Sequence, residues 1–165
     1  MTRSPDKAKR VRALGAEPVI CDVFDRDRLR EAVRVFRPDA VIHELTDLAD
    51  DPSRIGELAG LNARIRTEGT RNLLDAAGTA GAGHFLAQSI AWELPPGEGA
   101  DAVRTLERSV LEAGGVVLRY GQFYGPGTYH EQQPPPPPRV HIDAAAERTV
   151  AALDAPSGVF TVVEE

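Results

Sequence analysis

Short apolar runs alternate along this chain with longer stretches in which apolar residues recur every three or four positions. Residues 18–23 (PVICDV) form the first run. Asp25 then stands where an N-cap belongs, and Leu29, Ala32, Val33 and Phe36 recur at helical spacing. Pro38 and Asp39 punctuate before a second run, residues 40–43 (AVIH). Asp50, Asp51, Pro52 and Ser53 mark a helix start. Residues 55–80 read as helical, with Leu61, Ile65, Leu73 and Ala77 on one face and Gly60 and Gly69 as points of bending. A strand at 84–89 (HFLAQS) follows, then a loop at 95–99. A helix at 102–113 turns Val103, Leu106, Val110 and Leu111 inward and stops at Gly114. A fourth strand lies at 116–120. Residues 125–139 are irregular, and the proline run 134–138 is expected to be extended and exposed. Val140, His141 and Ile142 lead to Asp143 as the N-cap of an alanine-rich helix, and residues 158–163 form the last strand. Strands alternating with helices of this length predict an α/β fold: a doubly wound, mostly parallel sheet with helices on both faces.

At 165 residues the chain is long enough for one domain with a core, taken as residues 1–165 with a proline-rich loop at 133–139. The net charge of -6 and the absence of a basic stripe with interleaved aromatics argue against a nucleic-acid or anionic-membrane partner. A single cysteine, Cys21, permits no internal disulfide. The basic first dozen residues lead into no apolar segment, so no secretory signal or membrane span is expected, and the expected location is cytoplasmic. His130 and His141 flank the proline run without a carboxylate or cysteine at ligand spacing, so no metal site is expected.

The run Arg119-Tyr120-Gly121-Gln122-Phe123-Tyr124-Gly125-Pro126-Gly127 directly follows the apolar residues 115–118. It reads as a buried strand that breaks into a glycine-rich loop. Ligands of doubly wound sheets bind beyond the carboxyl ends of the strands, where such a loop lets backbone approach a ligand.

Several segments together resemble the extended short-chain dehydrogenases, the NAD(P)-dependent epimerase/dehydratase family. Residues 38–43 (PDAVIH) look like that family's fourth strand, and Asn62 with 68–77 (EGTRNLLDAA) like the helix after it. Residues 85–89 (FLAQS) resemble its fifth strand with a terminal serine. Residues 118–127 resemble its sixth strand and substrate-side loop, and 141–145 (HIDAA) a late return to helix. The resemblance implies a Rossmann-like fold and NAD(P)-dependent redox or epimerase chemistry on a small carbonyl or sugar-like substrate. It implies cofactor contacts at Asp22, Val23, His43, Thr46 and Asn62, a substrate-side loop at Tyr124, Gly125 and Pro126, and catalytic candidates in Ser89 and Tyr120. Each residue also has an ordinary structural reading: a turn aspartate at Asp22, a packed histidine at His43, a core tyrosine at Tyr120.

Departures from the family pattern are equally plain. The strand, glycine-rich turn and helix that hold a pyrophosphate are absent, and the chain starts in what looks like the region after the family's second strand. The helix that carries Tyr-x-x-x-Lys in the family reads AVRTLER here, without tyrosine or lysine. A truncated Rossmann-like domain is therefore expected, with weak or no binding of NAD or NADP, partly because Glu44 adds negative charge to the cleft. Activity is expected to be impaired; a non-catalytic ligand-binding module and a truncated reading frame are the alternatives. With the first two family strands missing, residues 18–22 are expected to dock directly beside 40–43, leaving an open sheet edge through which copies of the chain could associate.

Overall fold

The computed structural model describes residues 1–49 and 51–164. Four parallel strands make the main sheet: β1 (Ala40–His43), β2 (His84–Ile90), β3 (Val116–Tyr120) and β6 (Gly158–Val162), in the order β1-β2-β3-β6. A short parallel pair, β4 (Gln122–Tyr124) and β5 (Arg139–His141), lies beyond the end of β3.

The helices cover both faces because the central strands alternate their side chains. Phe85, Ala87 and Val117 turn to one side, into a core with Leu29 of α2 (Arg26–Phe36), Leu73 of α4 (Thr70–Ala80), and Leu106 and Val110 of α5 (Glu98–Glu112). Leu86, Leu118 and Tyr120 turn to the other side, against Val140 of β5 and Ala145 of α6 (Ile142–Ala151). Leu29 and Val110 are fully buried, and each such side chain contributes about 1.5–3 kcal/mol by leaving water.

Local signals set the helix ends. Asp25 caps α2, its Oδ1 accepting from Arg28 N at 3.2 Å. Asp51 caps the 3-10 turn Pro52–Leu58; Asp50, its neighbour in the sequence signal, lies outside the described residues. The stretch expected to be helical from 55 to 80 stays helical but changes pitch: α3 (Ala59–Arg64), a π-helical turn (Ile65–Gly69), then α4. Gly69 packs close to Val23, where an added Cβ would sit 3.5 Å from Val23 Cγ1.

Three expectations are corrected. Residues 18–22 do not dock beside β1. They make an isolated parallel bridge to Thr2, with Thr2 N donating to Val19 O at 2.9 Å and Cys21 N donating to Thr2 O at 3.0 Å. Thr2 competes successfully because α1 (Pro5–Ala13), capped by Ser4, starts immediately after it and turns the chain back. The open edge of the main sheet on this side is accordingly β1, not residues 18–22. The proline run is not wholly exposed: Pro135 is buried, and the carbonyls of Pro135 and Pro136 accept from Arg139 Nη1 and Gln122 Nε2. The cap of α6 is His141, whose Nδ1 accepts from Asp143 N at 3.3 Å; Asp143 lies within the first turn.

Candidate functional site

A cleft of about 640 Å³ is bordered by the segments around the Thr2 bridge and by the residues that follow β1. Thr2, Arg3, Asp22 and Val23 line one wall, and Glu44, Thr46 and Asp47 the other. Among the described residues nothing pairs with the outer edge of β1. Arg3 and Asp47 form an ion pair between the walls.

Of the residues implied by resemblance, the structure brings Asp22, Val23 and Thr46 together in this cleft. Asp22 spends Oδ1 on Phe24 N at 3.0 Å, closing the turn before α2. Asn62 stands behind the wall, buried, and positions it: its Oδ1 accepts from Asp47 N at 3.2 Å.

His43 is 2% exposed. Its Nδ1 accepts from Leu45 N at 3.3 Å, so the ring proton sits on Nε2 and is donated to Thr70 Oγ1 at 3.0 Å. Burial, and then the charge of Arg66, push the imidazole down to about 4. His43 is a neutral, fully bonded group behind the cleft.

Ser89 is drawn away from the cleft into a buried polar knot. Its Oγ donates to Glu107 Oε1 at 2.6 Å, and Arg119 holds the same carboxylate. Glu107 sits on α5 among inward-facing apolar positions. Its charge, and that of Arg119 within the apolar run VVLRY, are the sequence signals that reveal this pair: neither tolerates burial alone.

Tyr120 closes β3 and is 3% exposed. Its Oη lies 2.6 Å from Thr149 Oγ1 on α6 and 3.5 Å from Glu44 Oε1. Burial pushes the phenol up to about 12, so it does not ionise near neutral pH. Glu44 is exposed to solvent; the neighbouring protein, by desolvation, pushes its carboxyl upward, to about 7, although a bond from Tyr120 acts the other way.

Tyr124, Gly125 and Pro126 belong to a separate cluster past the end of the sheet. Tyr124 Oη donates to Glu164, its ring meets His141 edge-on with centroids 5.1 Å apart, and Arg139 pairs with Glu164 at 3.3 Å. Gly125, at φ +105°, lies flat against the His141 ring, and a Cβ there would sit 2.6 Å from Nε2. Pro126 is exposed.

The cleft suits the nucleoside part of a dinucleotide better than its pyrophosphate. Asp22 can accept from ribose hydroxyls, and Val23 offers an apolar wall. In the lining, Asp22, Asp47 and Asp51 stand beside the cations Arg3, Lys7 and Arg54, of which Arg3 is paired with Asp47 and Arg54 with Glu57. The orphaned buried atom nearby, Asn72 Oδ1, is an acceptor and needs a donor, which a phosphate oxygen is not. Asn72 is held there by its other end, Nδ2 donating to Val23 O at 3.0 Å.

A model of the NAD dependent epimerase/dehydratase family matches residues 1–100. A 3-diazoavenalumate denitrifying reductase from a Streptomyces species is 35% identical over 180 aligned positions, covering 82% of this chain and 58% of that protein. Among solved structures, the UDP-glucose 4-epimerase of Thermus thermophilus in complex with NAD matches with a TM-score of 0.72 at 22% identity, covering 90% of this chain and 64% of the other. A hypothetical dTDP-4-dehydrorhamnose reductase from Sulfolobus tokodaii matches with a TM-score of 0.69 at 14% identity, covering 89% and 63%. Likeness at these identities speaks for the fold alone. The chain spans less than two thirds of the length of each of these proteins. No helix of the described residues is long and apolar enough to cross a membrane.

Proposed function

Because this chain belongs to the NAD-dependent epimerase/dehydratase family, we propose that it is an NAD(P)-dependent epimerase/dehydratase or oxidoreductase-like protein acting on a small carbonyl or sugar-like compound. We further propose that, as this chain alone, it holds the dinucleotide weakly. The observation that carries this reading is the cleft beyond the carboxyl end of β1, lined by Asp22, Val23 and Thr46. Reductive rather than epimerase chemistry draws support from the relative at 35% identity, whose name is that of a reductase.

The residues' parts in this reading are limited by their contacts. Asp22 and Val23 would meet the nucleoside, Thr46 and the backbone around it the middle of the cofactor, and Tyr124, Gly125 and Pro126 the substrate side. NAD(P), when bound, supplies or takes up a hydride. Ser89 would orient a ligand only by giving up its bond to Glu107.

A second reading, a ligand-binding module without catalysis, is favoured by one observation: α5 (EGADAVRTLERSVLE) presents no phenol and no ammonium. Amide chemical-shift mapping during NAD titration tests the location. Shifts concentrated at residues 21–23 and 44–47 are expected. Shifts scattered over the surface, or clustered around Glu164, would refute the cleft as the cofactor site.

A further inference from the structure

Four arginines of the described residues are partly buried: Arg30, Arg66, Arg119 and Arg139. Three of them hydrogen-bond a carboxylate, Arg30 on Asp75, Arg119 on Glu107 and Arg139 on Glu164. Arg66 has no hydrogen bond and no ion pair with any described residue, and burial alone acts on its guanidinium, disfavouring the charge. The acid on its own turn, Glu68, is held by Arg64. Asn72 Oδ1 is the one side-chain nitrogen or oxygen among the described residues that is sealed from solvent without a partner. The unbonded nitrogens of Arg66 therefore still touch solvent. The guanidinium is covered on one side and open on the other.

Its place in the fold is the carboxyl end of the sheet. Arg66 precedes Thr70 by about one turn, and Thr70 Oγ1 meets Nε2 of His43, the last residue of β1, at 3.0 Å. The charge of Arg66 reaches that ring. The element that carries it is the π-helical turn Ile65–Gly69, a local widening of a helix that is frequent at functional sites. Ile65, its neighbour, lines the cleft after β1, while Arg66 itself stands outside that lining. A cation partly stripped of water and given no acceptor destabilises the fold. An anion would supply the missing acceptor, and the partial desolvation strengthens the attraction over that of a surface arginine.

We propose that Arg66 is a ligand-binding residue that receives the carboxylate of a small organic acid, two guanidinium N–H groups donating to its two oxygens. A carboxylate fits better than a phosphate because one guanidinium balances one negative charge. The nearest other groups add no second cation: His43 is neutral with its ring proton given to Thr70, and Arg64 is tied to Glu68. The inference goes beyond the cofactor reading and does not depend on it, since an acid can meet Arg66 whether or not a dinucleotide is held.

Nitrogen-edited NMR of the arginine Nε–H groups in the whole chain, without NAD(P) and in mildly acidic buffer, tests this. The Arg66 signal is identified by its loss in Arg66→Gln. The probe is sodium benzoate, with inorganic phosphate in parallel and sodium chloride at matched ionic strength as the reference. Benzoate should move the Arg66 signal along a saturating curve, together with backbone amides of residues 43–45 and 65–70. In Arg66→Gln the affinity read from those amides should fall about tenfold or more. Arg66→Met keeps the apolar stem and loses no bond, so it should melt no lower than wild type. An Arg66 signal that benzoate moves no further than chloride does, a stronger response to phosphate than to benzoate, or amide shifts that survive in Arg66→Gln would each overturn the assignment. So would a lowered melting temperature or a failure to fold in Arg66→Met, which would make the arginine a structural residue.

Discussion

Arg119 grips both oxygens of Glu107, Nε to Oε1 at 2.8 Å and Nη2 to Oε2 at 2.6 Å, and so ties the end of β3 to α5. Ser89 adds its hydroxyl to the same carboxylate from β2. The knot occupies the helix where the family carries its tyrosine and lysine. It makes this corner a structural joint.

Glu107→Ala should therefore destabilise the chain by about 2 kcal/mol, because it strands the Ser89 hydroxyl and a half-buried guanidinium. Glu107→Gln should cost less, since the amide oxygen still accepts. Urea unfolding at neutral pH measures both. Burial works against the Glu107 charge, but the bonds from Arg119 and Ser89 outweigh it and hold the carboxyl below its ordinary value of 4.5. A depressed carboxylate stabilises above its unfolded value, and that stability is lost as pH falls through the folded one. The difference between wild type and Glu107→Gln should thus shrink below pH 4.5.

His43 and Glu44 should oppose each other in acid. The imidazole drops to about 4 in the folded chain, from an ordinary 6.5, so its contribution is complete above 6.5 and is lost as pH falls towards 4. Glu44 is raised from 4.5 to about 7; its contribution is complete below 4.5 and is lost as pH rises through 7. The two slopes partly cancel between pH 6.5 and 4.5. Glu44→Gln should unmask the histidine and make stability fall more steeply on acidification over that window. Equal slopes in the two proteins would contradict this assignment.

Gly121→Ala should be among the costliest small substitutions in the chain. A Cβ there would sit 2.6 Å from the backbone N and Cα of Arg139, where β5 passes the end of β3. Backbone cannot rotate aside as a side chain can, so a loss of about 2–3 kcal/mol is expected. A thermal melt unchanged from wild type would show that β5 does not cross there.

Much of the fold was legible in the sequence because the buried strands are short, apolar and bounded by turn residues. The runs at 40–43, 84–89 and 116–120 and the caps at Asp25 and Asp51 carry their own local signals. Residues 18–22 show the limit of that reading. Their apolar run reads as a strand, but its partner, Thr2, sits in a segment with no strand pattern of its own. Helix α1 was missed too: its residues PDKAKRVRA contain too few apolar positions to show a face. Asp22, Val23 and Thr46, named from family resemblance, line one cleft. The partnership of Ser89 with Glu107 and of Tyr120 with Thr149 depends on which way each side chain points, and spacing along the chain does not encode that.

Calorimetric titration of the chain with NAD and with NADP bears most directly on the cleft. On the proposed weak hold of the dinucleotide, the expected result is no measurable heat, or a Kd of about a millimolar or weaker for both, near −4 kcal/mol at most. A Kd in the low micromolar range, about −8 kcal/mol, would mean that other amides of this chain bind the pyrophosphate, and would contradict weak binding.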